Sequence, residues 1–237
     1  MWASRPRGPE GLLGLLVLVV ALGGGGPRGA PAPAGNAQLR VAHLAVGSPM
    51  FTLLLDGERQ LARLAYGQAS DYLVLPAGAH TLVATAPEGD SAAAPITVAL
   101  DLQPGICYTV VLLPADTPPL VLVDESLAPM GGPPRLRLVH AADGVPPLDL
   151  AVGATPLVRG LAFGAASPYY DAPAGTHGIV VYTADGAEMA GIPDATLAVD
   201  TAYTLVAAAR TPPGAGVALL PLVDGYPPVR FAAGVRR

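Results

Sequence analysis

Between residues 36 and 124 the apolar residues either alternate with polar ones or cluster in runs of four to six, and turn-forming residues separate the clusters. Leu39-Arg40-Val41-Ala42-His43-Leu44 has the alternation of a half-buried strand. Phe51–Leu55, Leu61–Leu64, Tyr72–Leu75, His80–Ala86, Ile96–Leu100, Tyr108–Leu113 and Leu120–Val123 follow as further strands. Asp56-Gly57 suits a hairpin turn, Pro104-Gly105 turns the chain again, and Pro76-Ala77-Gly78 is expected to close a hairpin between its flanking strands. No stretch of ten residues keeps a 3.6-residue apolar period, which argues against βαβ units. The pattern predicts an all-β fold, a sandwich or barrel of short antiparallel strands. Tyr108 opens a strong strand just after a turn, the place of the tyrosine corner in immunoglobulin-like sandwiches.

The pattern occurs twice. Tyr66-Gly67-Gln68-Ala69-Ser70-Asp71-Tyr72 and the Pro76-Ala77-Gly78-Ala79-His80 that follows are answered by Phe163-Gly164-Ala165-Ala166-Ser167-Pro168-Tyr169 and Pro173-Ala174-Gly175-Thr176-His177. Leu136-Arg137-Leu138-Val139-His140 repeats Leu39 to His43, Tyr203 repeats Tyr108, and Leu222-Val223-Asp224 repeats Leu122-Val123-Asp124. Two tandem immunoglobulin-like sandwiches are expected, at 37–124 and 135–225, joined by a linker at 125–134 and followed by a tail at 226–237. The recurring Tyr66, Tyr72, Phe163, Tyr169 and Tyr203 are expected in the sandwich cores.

The first 34 residues read differently. Arg5 and Arg7 precede an apolar run from Leu12 to Leu22, and Ala32-Pro33-Ala34 offers small residues for cleavage, the layout of a secretory signal peptide or, if uncleaved, an N-terminal anchor. Gly24-Gly25-Gly26-Pro27-Arg28-Gly29 satisfies GxGxxG formally, but it follows no strand and opens no helix, so it is no dinucleotide site. Export to the periplasm, cell surface or medium is the expectation, with membrane contact confined to that segment.

Composition narrows the chemistry. Lysine is absent and all 13 basic residues are Arg, which removes a P-loop lysine and any Schiff base. Without residues 1 to 34 the chain keeps 10 Arg against 17 acidic residues, a formal charge of −7 that disfavours nucleic acid as a partner. The single cysteine, Cys107, has no internal partner and lies in an apolar run that suits a buried thiol.

Leu136-Arg137-Leu138-Val139-His140-Ala141-Ala142-Asp143-Gly144-Val145-Pro146-Pro147-Leu148-Asp149-Leu150 resembles the opening of the bacterial and archaeal domains of unknown function 4397. An aromatic-Gly-x-x-Ser-x-Tyr block, a Pro-Ala-Gly turn and a Tyr-Thr strand follow in both copies, as in that family. The resemblance implies exported, often tandem, sandwich domains with no settled activity, and it supplies no catalytic residue. Thr52 stands in the first copy where the family's Asp is matched by Asp149, and Ala45-Val46-Gly47-Ser48 lacks the acidic residue that Asp143 supplies.

Candidate chemistry rests on few residues. All four histidines occupy equivalent positions, His43 with His140 and His80 with His177, and two imidazoles per domain could form a metal pair. No third ligand recurs with them. Asp143 and Asp149 could offer oxygen ligands to Ca²⁺, without a dense acidic loop around them. Ser70 and Ser167 precede His80 and His177 by ten residues, but neither lies in a nucleophile elbow, and no H-E-x-x-H helix is present. The sequence therefore suggests a non-enzymatic envelope or extracellular module with no cofactor, whose partner would be an envelope protein or a glycan. A small-ligand or metal carrier is the alternative. The loops that differ between copies, around Ser48 and Asp143, are the expected place for function.

Overall fold

The computed structural model describes residues 35–87, 94–114, 116–124, 132–211 and 216–224. The expected signal segment, the tail at 226–237 and most of the 125–134 linker lie outside them. The first repeat contains β1 (Asn36–His43), β2 (Phe51–Leu55), β3 (Glu58–Leu64), β4 (Gln68–Ala69), β5 (Leu73–Pro76), β6 (Gly78–Thr85), β7 (Ile96–Leu102), β8 (Cys107–Leu112) and β9 (Leu120–Asp124). The second contains β10 (Arg135–Ala141), β11 (Leu148–Val152), β12 (Thr155–Leu161), β13 (Ala165–Ala166), β14 (Tyr170–Asp171), β15 (Gly175–Thr183), β16 (Glu188–Leu197), β17 (Ala202–Ala209) and β18 (Val217–Asp224).

Each repeat is a two-sheet sandwich. In the first, a five-stranded sheet runs β4-β1-β8-β9 with β5 also on β1, and a four-stranded sheet runs β3-β2-β6-β7; the second repeats both orders as β13-β10-β17-β18, with β14 on β10, and β12-β11-β15-β16. Most neighbours are antiparallel, but β1 runs parallel to β8 in the register Leu39↔Tyr108, and β10 runs parallel to β17 with Leu136↔Tyr203. Leu39, Val41, Phe51, Leu53, Leu82, Leu102, Val110 and Leu112 fill the first core, and Leu136, Leu138, Leu148, Leu150, Val181 and Leu205 fill the second. The tyrosine corner forms in both: the Tyr108 hydroxyl accepts from the Gln103 N–H at 3.0 Å, and Tyr203 accepts from Ala198 at 3.0 Å. Asp56 and Gly57 take φ of 51° and 84°, the left-handed pair that a tight hairpin between β2 and β3 requires.

Two expectations need correction. Pro76-Ala77-Gly78 closes no hairpin, because β5 pairs with β1 while β6 pairs with β2 and β7. The segment carries the chain from one sheet of the sandwich to the other, and Gly78 and Gly175 make that crossing at φ of 132° and 102°. Nor is the β1 strand half-buried. Arg40 and His43 are 4% and 0% exposed, because both faces of β1 are covered. Its inner face meets the first core, and its outer face meets the second repeat.

That second contact is a third apolar cluster. Ala42, Leu44, Val111 and Leu113 of the first repeat pack with Val139, Ala141, Val206, Ala208 and Leu222 of the second. The described residues of the two repeats accordingly belong to one compact unit. Burial on both faces explains why β8 and β17 read as nearly unbroken apolar runs.

Candidate functional site

The outward positions of β1 and β10 do not all carry small apolar residues. Arg40 and Arg137 project from them into the seam between the repeats, where an unpaired charge would be costly. Arg40 Nη2 donates to Asp224 Oδ1 of the other repeat at 2.5 Å, and Arg40 Nη1 donates to the Val223 carbonyl at 2.9 Å. Arg137 makes the same pair of bonds in the opposite direction, to Asp124 Oδ1 and to the Val123 carbonyl. Each repeat thus gives one guanidinium and receives another.

Own-repeat groups complete both carboxylates. The hydroxyls of Thr109 and Tyr72 donate to Asp124 Oδ2 at 2.6 and 2.7 Å, and those of Thr204 and Tyr169 donate to Asp224 Oδ2 at 2.5 and 2.9 Å. Thr109 Oγ1 also accepts from Arg40 Nε at 3.1 Å, as Thr204 does from Arg137 Nε at 2.7 Å. The guanidinium carbons lie 4.7 and 4.6 Å from the ring centroids of Tyr72 and Tyr169. Burial raises the Asp224 carboxyl above the usual range, against the pull of Arg40; burial likewise raises both tyrosine hydroxyls. Tyr72 and Tyr169 therefore belong to the seam rather than to the sandwich cores. Tyr66 does too, since its hydroxyl donates to the Ala209 carbonyl of the second repeat at 2.5 Å.

Sequence reasoning missed this network. Its signal was present: the Arg, Thr, Tyr and Asp positions recur together in both copies. Alternation along β1 assigned its polar positions to solvent, and Asp124 stood only as the last residue of the first sandwich.

The histidines fall into two pairs with different surroundings. His43 Nε2 meets the Pro49 carbonyl at 2.9 Å, Nδ1 accepts from the Ala45 N–H at 3.3 Å, and the ring lies 4.4 Å from Phe51. His140 repeats this with Pro146 at 3.2 Å and Ala142 at 3.3 Å. Burial lowers both imidazoles below their ordinary value, so they are neutral rings that organise the loop after β1 or β10.

His80 and His177 lie near the starts of β6 and β15, interior strands of the four-stranded sheets. His80 Nε2 meets the Pro76 carbonyl at 2.8 Å and Nδ1 meets Asp56 Oδ2 at 2.7 Å, a bond that raises the imidazole and lowers the carboxyl. His177 Nε2 meets the Ala174 carbonyl at 2.9 Å, but Gly153 stands where Asp56 stands in the first repeat.

Of the remaining candidates, all but Asp143 serve the backbone. Asp149 Oδ1 accepts from the Gly160 N–H at 2.6 Å across the irregular β11–β12 pairing, and Asp143 is exposed on its turn. Thr52, the counterpart of Asp149, donates to the Ala62 carbonyl at 3.0 Å. Ser70 Oγ accepts from the Val41 N–H at 3.0 Å and donates to the Asp71 carbonyl at 2.8 Å; Ser167 does the same between Leu138 and Pro168. Each serine thus bridges the gap in the ladder where β4 gives way to β5, or β13 to β14. The loop around Ser48 is not a free surface, because Val46 packs against the core of the second repeat. Among the described residues no three His, Cys, Asp or Glu side chains gather as a metal centre. Cys107 is buried and free, its thiol raised by burial.

Open space adjoins the seam. A cleft of about 490 Å³ lies where Tyr66 and Gly67 of the first repeat meet Ala208, Arg210, Ala218 and Leu219 of the second.

A family model described as a domain of unknown function, DUF4397, matches residues 37–151 and again residues 135–236. No curated protein matches the sequence.

Proposed function

The chain belongs to the DUF4397 family, two copies in tandem, and on that premise we propose that it is an exported, non-enzymatic protein of the envelope or extracellular space, acting as a structural, adhesive or surface-interaction module. Its partner would be an envelope protein or a glycan. The observation that carries this reading is the commitment of every recurring reactive side chain to the fold. Ser70 and Ser167 bond backbone groups of adjoining strands, His43 and His140 are enclosed beside Phe51 and Phe163, and the seam carboxylates are saturated with donors. A module that holds two sandwiches at a fixed angle presents one continuous surface.

The N-terminal Arg-flanked apolar run supports export. Fusing residues 1–40 to a reporter that is active only outside the cytoplasm tests it: reporter activity is expected, and an inactive fusion removes the export assignment. Assaying the purified chain on ester, glycan and cell-wall substrates tests the rest. No turnover is expected, and turnover lost in Ser70→Ala or His80→Ala would contradict the reading. Calorimetric titration with Zn²⁺, Cu²⁺ and Ca²⁺ separates it from a metal carrier, which micromolar binding would favour.

A further inference from the structure

An edge strand offers unpaired N–H and C=O groups to any other chain, and all but one of the sheet edges described here are blunted. β4, β13 and β14 are two residues long and β5 is four, too short to template a partner. β9 and β18 are engaged at the seam, where Arg137 Nη1 donates to the Val123 carbonyl and Arg40 Nη1 to the Val223 carbonyl, both at 2.9 Å. β18 also contains Pro221. β3 and β12 pair with register shifts, and they carry Arg59 and Arg63, or Pro156 and Arg159. β16 shifts register twice against β15 and carries Pro193 and Asp194.

β7 has none of these features. Its seven residues pair with β6 without a break, from Gly78↔Leu102 to Ala84↔Ile96, and contain neither proline nor arginine. Val98, Leu100 and Leu102 face the core, whereas Thr97, Ala99 and Asp101 are exposed on the outer face of the sheet. Among the described residues β6 is its only ladder partner. The duplication sharpens the contrast, since β16, the counterpart of β7, has both the proline and the register shifts.

We propose that β7 is a self-association edge: two copies of this chain pair through β7, antiparallel about a two-fold axis at Ala99, and join their four-stranded sheets into one. The strand itself names the occupant. Ala99 is the midpoint of Ile96–Leu102, so an axis there pairs every residue, with Ile96 opposite Leu102, Thr97 opposite Asp101 and Val98 opposite Leu100 of the second copy. Core-facing residues thus adjoin core-facing residues. Asp101, the single charge in the strand, lies opposite a Thr hydroxyl that donates to it rather than opposite its own copy, and the axis carries the smallest side chain of the outer face. The association follows from the strand and holds whether or not the interaction-module reading does.

Sedimentation of the full chain over a concentration series up to about 1 mM, the range of a weak interface, tests the pairing, with two exposed positions varied. A monomer–dimer equilibrium is expected. Ala99→Arg sets two guanidinium groups against each other at the axis and should raise the dimer Kd at least about tenfold. Thr97→Arg places a guanidinium opposite Asp101 of the second copy, twice per dimer, and should lower the Kd about threefold or more, an effect that added salt reverses. The opposite signs distinguish this register from a general loss of folding or a general stickiness. A chain that stays monomeric at about 1 mM would overturn the assignment, as would a dimer that Ala99→Arg leaves intact or Thr97→Arg weakens. Hydrogen exchange on the monomer adds a further check: β7 amides that alternate between slow and fast are expected, and a β7 protected throughout would mean that another segment of the same chain occupies the edge and would also overturn it.

Discussion

Arg40 and Asp224 are 184 residues apart in the chain and 2.5 Å apart in the fold. Arg137 and Asp124 make the mirror contact. Because each repeat carries both an arginine and an aspartate on its five-stranded sheet, packing the two sheets face to face about a pseudo-two-fold axis pairs the charges in both directions. Neither repeat can turn or slide without exposing a buried charge. The apolar cluster around Val111, Val139 and Val206 supplies the cohesion, and the crossed ion pairs fix the register.

Removing one partner strands the other in the interior. Arg40→Ala or Asp224→Ala should each lower unfolding stability by about 3–5 kcal/mol. The double variant should cost clearly less than the sum of the two, with a coupling of about 1–3 kcal/mol in urea denaturation. Additive losses would mean that the pair does not interact in solution. Arg40→Lys should rescue little, since one ammonium cannot reach Asp224, Thr109 and the Val223 carbonyl together.

Ser70→Ala should act on the fold and on nothing else. It removes the acceptor for the Val41 N–H at the break between β4 and β5, and should destabilise by about 1–3 kcal/mol. Ser70→Thr, which keeps the hydroxyl, should retain most of that stability. A chain as stable with Ala as with Ser would contradict the bridging role.

The sandwich architecture, the duplication and the tyrosine corners were legible because each is a local pattern: alternation, a recurring block, a tyrosine after a turn. The seam was not, since a strand covered on its second face by a distant repeat looks in sequence like one that faces solvent. Arg40 reads as exposed until β18 is brought beside it. Pro76-Ala77-Gly78 misled for a related reason, because the same turn residues serve a hairpin or a crossing between sheets, and only the pairing of β5 with β1 decides. The equivalence of the histidines was legible too, but their difference, Asp56 beside His80 and Gly153 beside His177, follows from a cross-strand contact.

The Asp56–His80 pair makes stability depend on pH in a defined window. His80 is raised above its ordinary 6.5 by the Asp56 bond, so its contribution is complete below that value and fades as pH rises through the folded value. Asp56 is lowered below its ordinary 3.8, chiefly by the Thr81 N–H and then by His80, so its contribution is complete above that value and fades as pH falls through the folded one. Asp56→Asn should therefore lose most stability near pH 5 and least near pH 8, by no more than about 1 kcal/mol for so exposed a pair. NMR titration should show the His80 imidazole moving down in that variant, and an unchanged His80 titration would dismiss the coupling.

Native-state hydrogen exchange on Arg40→Ala tests the central relationship most directly, because the substitution lies in the first repeat and its partner lies in the second. The expected result is faster exchange in β17 and β18 as well as in β1 and β8, by a similar factor, as one cooperative unit requires. Faster exchange limited to β1 to β9, with β10 to β18 protected as before, would show that the two sandwiches are stable independently and that the crossed arginine pairs do not join them.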